Sequence, residues 1–72
     1  MEIVVTTSHR PSKRTRTFAK ELANALAAAR ITRGKSSLEE FLKLSHESGY
    51  SRVIVVDTAF GNPSRLRIYR AE

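Results

Sequence analysis

Two uninterrupted β-branched runs constrain this chain more than anything else in it. They are Ile3-Val4-Val5 and, within Arg52–Asp57, Val53-Ile54-Val55-Val56. A half-buried strand alternates apolar and polar residues. A continuous run predicts a strand covered on both faces, the usual condition of a parallel sheet. Parallel neighbours need a crossover between them, and the sequence between the runs supplies two helical periods.

The first helix is predicted from about Lys13 to Ala29, with Ser12 or Thr15 as its cap. Phe18, Leu22, Ala25, Leu26 and Ala29 recur at spacings of three and four and form its apolar face. Arg30-Ile31-Thr32 is a short strand candidate, broken by Gly34. A capping box then pairs Ser36 with Glu39 or Ser37 with Glu40. The second helix runs to about Ser48, with Leu38, Phe41 and Leu42 inward and Gly49 as its stop. After the long apolar strand, Phe60 to Ser64 is a turn by composition. Arg65 to Arg70 alternates, with Leu66 and Ile68 on one side and Arg65, Arg67 and Tyr69 on the other. That predicts an antiparallel edge strand with one wet face. The expected fold is α/β, β-α-β-α-β-β: a small, mostly parallel four-stranded sheet of order 2-1-3-4 with two helices.

Size and composition remove whole classes of function. Seventy-two residues make one domain, 1–72, too small for a large multi-substrate enzyme. There is no cysteine, hence no disulfide framework and no thiol nucleophile. No apolar run approaches a membrane span, and Met1-Glu2-Ile3 does not read as a signal peptide. A soluble cytoplasmic domain is expected, with no membrane partner. A chain of this size buries only about 60% of its unfolded surface, which favours association.

The formal net charge is +6, from 13 basic and 7 acidic residues. The basic residues cluster: Arg10, Lys13, Arg14 and Arg16; Arg30, Arg33 and Lys35; Arg65, Arg67 and Arg70. Arginine pairs with phosphate through a planar fork and stacks on bases, so nucleic acid is the leading partner class. Thr6 to Arg16 lies between a strand and a helix, where open α/β sheets place ligands. It combines hydroxyls, basic side chains and free helix N–H groups, the makings of a phosphate cradle; an ordinary solvated loop has the same composition. Arg67 and Tyr69 on one strand face suit stacking with phosphate contact, although edge strands also carry charge to avoid aggregation.

Catalytic patterns are missing. Arg33-Gly34-Lys35-Ser36 fails as a phosphate-binding P-loop, because the pattern requires glycine where Ala29 stands. His9 and His46 are isolated, Glu39 and Glu40 point to different sides of a helix, and Asp57 has no nucleophile or base near it. No enzyme, metal or cofactor is expected.

Thr6-Thr7-Ser8-His9-Arg10-Pro11-Ser12-Lys13-Arg14-Thr15-Arg16, Phe18-Ala19-Lys20-Glu21-Leu22, Arg33-Gly34-Lys35 and Gly61-Asn62-Pro63-Ser64-Arg65, in that order, resemble the Brix-domain family, its archaeal members above all. The resemblance spans about Ile3 to Tyr69. It implies ribosome biogenesis through ribosomal RNA binding within a pre-ribosomal particle, on a domain similar to a doubled anticodon-binding fold. Carried over by motif, the RNA-contacting positions are Arg10, Lys13, Arg14, Arg16, Arg33, Lys35, Asn62 and Arg65; Arg67 and Tyr69 come from the strand face. A whole domain is about twice this length, so the chain resembles the N-terminal half. The second half is then supplied by a homodimer mate or a separate half-domain protein, or the chain is a fragment. The rival readings are a protein–protein module that completes a partner and a tRNA-binding accessory domain.

Overall fold

A computed structural model of the chain describes residues 2–71. The elements are β1 (Ile3–Thr7), α1 (Lys13–Leu26), β2 (Ala29–Arg30), α2 (Leu38–Glu47), β3 (Arg52–Ala59) and β4 (Asn62–Arg70). They form one four-stranded sheet of order β2-β1-β3-β4, as expected. β1 pairs parallel with β2 and with β3, and β3 pairs antiparallel with β4.

The continuous runs are covered on both sides. Val4, Val53 and Val55 pack with Phe41 of α2, while Val5, Ile54 and Val56 pack with Ala19 and Ala23 of α1. The sheet thus divides the interior into two small cores, one beneath each helix. Thr6, also buried in β1, carries a hydroxyl with no hydrogen-bond partner among the described residues.

α1 is rotated from the face its periodicity suggested. Thr15, Ala19 and Ala23 are its buried residues, whereas Ala25 is exposed, and Phe18 and Leu26 are 38% and 45% exposed. Small side chains four apart let the helix approach the sheet closely, which turns the larger ones to its flank. The helix also ends at Leu26, short of Ala29. Ala27 adopts a left-handed conformation (φ 52°), and the Ala28 N–H donates to the Ala23 carbonyl at 2.8 Å, a Schellman closure made without glycine. The strand that follows is therefore Ala29–Arg30 instead of Arg30 to Thr32.

Ser12 caps α1, accepting the Thr15 N–H, and the Thr15 hydroxyl accepts hydrogen bonds from Ser12 and Thr58. The second helix uses Ser37 with Glu40 as its capping box. The Ser37 backbone N–H and hydroxyl hold the Glu40 carboxyl below its ordinary pKa.

The faces of β4 are the reverse of the expected wet and dry sides. Leu66 and Ile68 are 45% and 66% exposed, while Arg67 and Tyr69 are half-buried. Register explains it: Tyr69 and Arg67 lie opposite Val53 and Val55, on the side that α2 covers. Leu66 and Ile68 lie opposite Val56 and Ile54 on the α1 side, at the sheet's edge. A register shift after Asp57, where Thr58 pairs with Pro63, places Arg65 directly opposite Asp57.

Candidate nucleic-acid interface

The topology brings most of the candidate residues to one end of the molecule. β1, β2 and β3 are parallel, so the β1–α1 loop, the β2–α2 loop and the β3–β4 turn all emerge at their carboxyl ends. Arg10 is in the first loop, and Lys13, Arg14 and Arg16 lie in the first turns of α1. Arg33 and Lys35 are in the second loop, and Asn62 and Arg65 begin β4. The chain enters α1 through Arg10, whose φ of 50° is left-handed and is followed by Pro11. A non-glycine residue held there carries strain that its surroundings must maintain.

One hydrogen bond ties the first two loops together, and a second, inside the β2–α2 loop, shares its acceptor. His9 Nε2–H donates to the Ser36 carbonyl at 2.7 Å, and Arg33 Nε–H donates to the same oxygen at 3.1 Å. On the other side of the end, Arg14 donates to the Asn62 side-chain carbonyl at 3.0 Å, joining α1 to the β3–β4 turn. His9, isolated in sequence, is thus a brace between loops.

Between the loops lies a cleft of about 210 Å³. Arg10, Arg16, Arg30 and Arg33 line it with Thr7 and Ser8, and no acidic residue among the described ones does. Arg30 belongs to the second basic cluster of the sequence and lies outside the motif-matched contacts. Its place in the cleft follows from β2 lying beside β1, with Arg30 opposite Val5, and this depends on the early end of α1.

Arg65 and Arg67 are committed differently. Both bond Asp57: Arg65 Nε at 2.9 Å, and Arg67 through Nε and Nη2 at 2.8 Å each. Arg67 also donates to the Tyr69 hydroxyl at 2.8 Å, with its guanidinium carbon 5.7 Å from that ring's centre. Burial pushes the Asp57 carboxyl up, but the hydrogen bonds and charges of Arg67 and Arg65 outweigh it and hold the carboxyl below its ordinary value. Arg67 and Tyr69 therefore do not form the open face expected of them. Tyr69 lies opposite Val53, toward the amino end of β3 and some 13 Å of strand from Asp57. Arg65 keeps a side chain that is 69% exposed.

By composition Phe60 is only the start of a turn. It occupies the tip of the β3–β4 hairpin, fully exposed, with φ 52° beside Gly61 at 76°. A two-residue hairpin turn with positive φ at both positions favours Asn or Gly. An aromatic ring in that place, open to solvent at the basic end, is the signal the sequence held.

No family model matches the chain. Curated proteins named "Probable Brix domain-containing ribosomal biogenesis protein" do. The Aeropyrum pernix protein is 42% identical over 69 residues, which is 94% of this chain and 38% of that protein. That of Methanosarcina barkeri is 40% identical over 67 residues, 93% of this chain and 41% of its own length. The Pyrococcus horikoshii protein is 35% identical over 65 residues, 89% and 29% respectively. The chain thus spans well under half the length of these relatives. Two crystal structures superpose closely. A probable ribosomal biogenesis protein from Aeropyrum pernix gives a TM-score of 0.88 at 43% identity, covering 99% of this chain and 40% of the other. Mil, an archaeal Imp4-like protein, gives 0.83 at 35% identity, covering 94% and 43%.

Proposed function

We propose that this chain, a relative of the Brix-domain ribosomal biogenesis proteins over nearly its whole length, works in ribosome biogenesis by binding ribosomal RNA, without catalysis. The observation that carries the reading is the gathering of Arg10, Lys13, Arg14, Arg16, Arg33, Lys35, Asn62 and Arg65 around the carboxyl ends of the parallel strands. These side chains contact phosphates and set the strand's register, and Phe60 at the hairpin tip offers a ring on which an unpaired base stacks. Arg67 and Tyr69 act from behind, holding Asp57 and the start of β4 in place.

A salt series of binding measurements tests this. Affinity for single-stranded ribosomal RNA should fall with salt at a log–log slope of roughly −0.7 per neutralised phosphate. Replacing Arg14, Arg16 and Arg65 with Gln should make that slope shallower by roughly 2, if each side chain meets one phosphate. Because any strongly basic domain binds RNA weakly, the wild type must also prefer ribosomal RNA to an unrelated RNA of equal length. A triple variant that binds as well as wild type at every salt concentration sinks the assignment.

One observation favours a second activity alongside the first. Phe18, Leu66 and Ile68 leave apolar surface on the α1 side of the edge strand β4. That surface suits a second half-domain, in a homodimer or from a separate protein within the pre-ribosomal particle. A tRNA-binding role has no such observation behind it. No helix among the described residues is long and apolar enough to cross a membrane, and the proposed site of action is the cytoplasm.

A further inference from the structure

From the geometry of the cleft between the β1–α1 and β2–α2 loops we infer that it seats a single phosphoryl group of an RNA strand. The inference rests on the RNA-binding reading and makes it local. Arg33 is the central observation. It is only 9% exposed, it bonds the Ser36 carbonyl through Nε, and no carboxylate among the described residues pairs with it. A charge withdrawn that far from water is costly unless an opposite charge meets it. Arg10, Arg16 and Arg30 line the same cleft, and no acidic side chain among the described residues does. The site therefore gathers four arginines on one space with no carboxylate among the described lining residues, and Arg16 is anchored there by donating to the Pro11 carbonyl at 3.2 Å.

Size narrows the ligand. At about 210 Å³ the cleft lies below the 300–1,000 Å³ typical of small-molecule pockets. That volume is too small for a dinucleotide and suits a phosphoryl group with part of its sugar. Arginine forks suit phosphate oxygens, and the Thr7 and Ser8 hydroxyls at the rim supply further donors. The bond from His9 to the Ser36 carbonyl links the two loops, and the same oxygen accepts from Arg33, so contacts within the protein set the position of Arg33.

The full chain, isotope-labelled, is titrated with inorganic phosphate at constant ionic strength while the arginine Nε–H resonances are followed by NMR. The expected result is a saturable shift at Arg33, weakened about tenfold in Arg33→Gln. Arg16→Gln, on an exposed position, should weaken it several-fold and serves if the buried variant does not fold. A linear, unsaturable response in the wild type overturns the inference, as does wild-type behaviour in the Arg16 variant. One RNA oligonucleotide is then added in 5′-phosphorylated and 5′-hydroxyl forms. A larger Arg33 shift with the phosphorylated form identifies a terminal phosphate, equal shifts identify a backbone phosphate, and displacement by inorganic phosphate is expected in both. RNA preference without saturable phosphate binding would remove the seat and leave the proposed function standing. Saturable phosphate binding without RNA preference would do the opposite.

Discussion

Asp57 shows how one residue type serves an end that a sequence pattern cannot distinguish from catalysis. As an acid at the end of a buried strand it resembled a catalytic group without companions; its companions are Arg65 and Arg67, reached across the hairpin. Its folded pKa is depressed, so the stability it contributes is present above the unfolded value near 3.9 and lost as pH falls through the folded value. Asp57→Asn should cost about 2 kcal/mol at neutral pH, in line with charged hydrogen bonds. The gap from wild type should then close as pH drops below about 4. Urea denaturation across a pH series reads this directly; Glu40, whose carboxyl is also held low, is common to both proteins and cancels. Phe60 gives the opposite trade. Phe60→Asn supplies the residue a hairpin turn prefers at positive φ, so thermal stability should rise. Loss of the stacking ring should lower RNA affinity by about tenfold, within the range for base stacking. A variant with improved stability and unchanged affinity would show that the ring is idle.

At the scale of elements, the existence of each helix and strand was legible because period and capping agree. The differences are of orientation and of bounds: α1 ends at Leu26, and β4 begins at Asn62, inside the stretch that composition reads as a turn. The periodicity of α1 recorded where apolar residues lie, and the helix used its alanines to approach the sheet, leaving Phe18 and Leu26 at the side. On β4, alternation separated two faces correctly but could not say which faced α2; that depends on the register with β3. The end of α1 was invisible because an alanine stands at its left-handed cap. Alanine there is strained by about 1 kcal/mol relative to glycine. Ala27→Gly should therefore stabilise the protein, raising the melting temperature by about 4–8 °C per kcal/mol gained for a domain of this size. A lower melting temperature would mean that the cap conformation carries no strain. The basic interface was legible in part: the loop motif named its residues, but Arg30 enters only because β2 runs beside β1.

For the molecule as a whole, the two faces of the sheet are unequal. One helix covers each face, yet beside α1 the strip of Phe18, Leu66 and Ile68 stays open to water. A strip of exposed apolar side chains is surface that association would cover. Light scattering over a concentration series should give a mass that grows toward a dimer. Ile68→Thr with Phe18→Ser should hold it at the monomer while leaving the β3–β4 ladder intact. A wild-type monomer at every concentration excludes the homodimer and turns attention to a separate half-domain protein.

The sheet order also carries a consequence in time. β4 meets β3 through a two-residue turn, but β1, which sits between β2 and β3, must wait: Ile3 pairs with Arg52, about fifty positions later. At a synthesis rate of about 5–20 residues per second, the valines of β1 exist for roughly 2.5 to 10 s before their main partner is made. During that interval β1 is an apolar ribbon with an unclaimed edge, and its safety depends on what else it meets in the cell before β3 emerges.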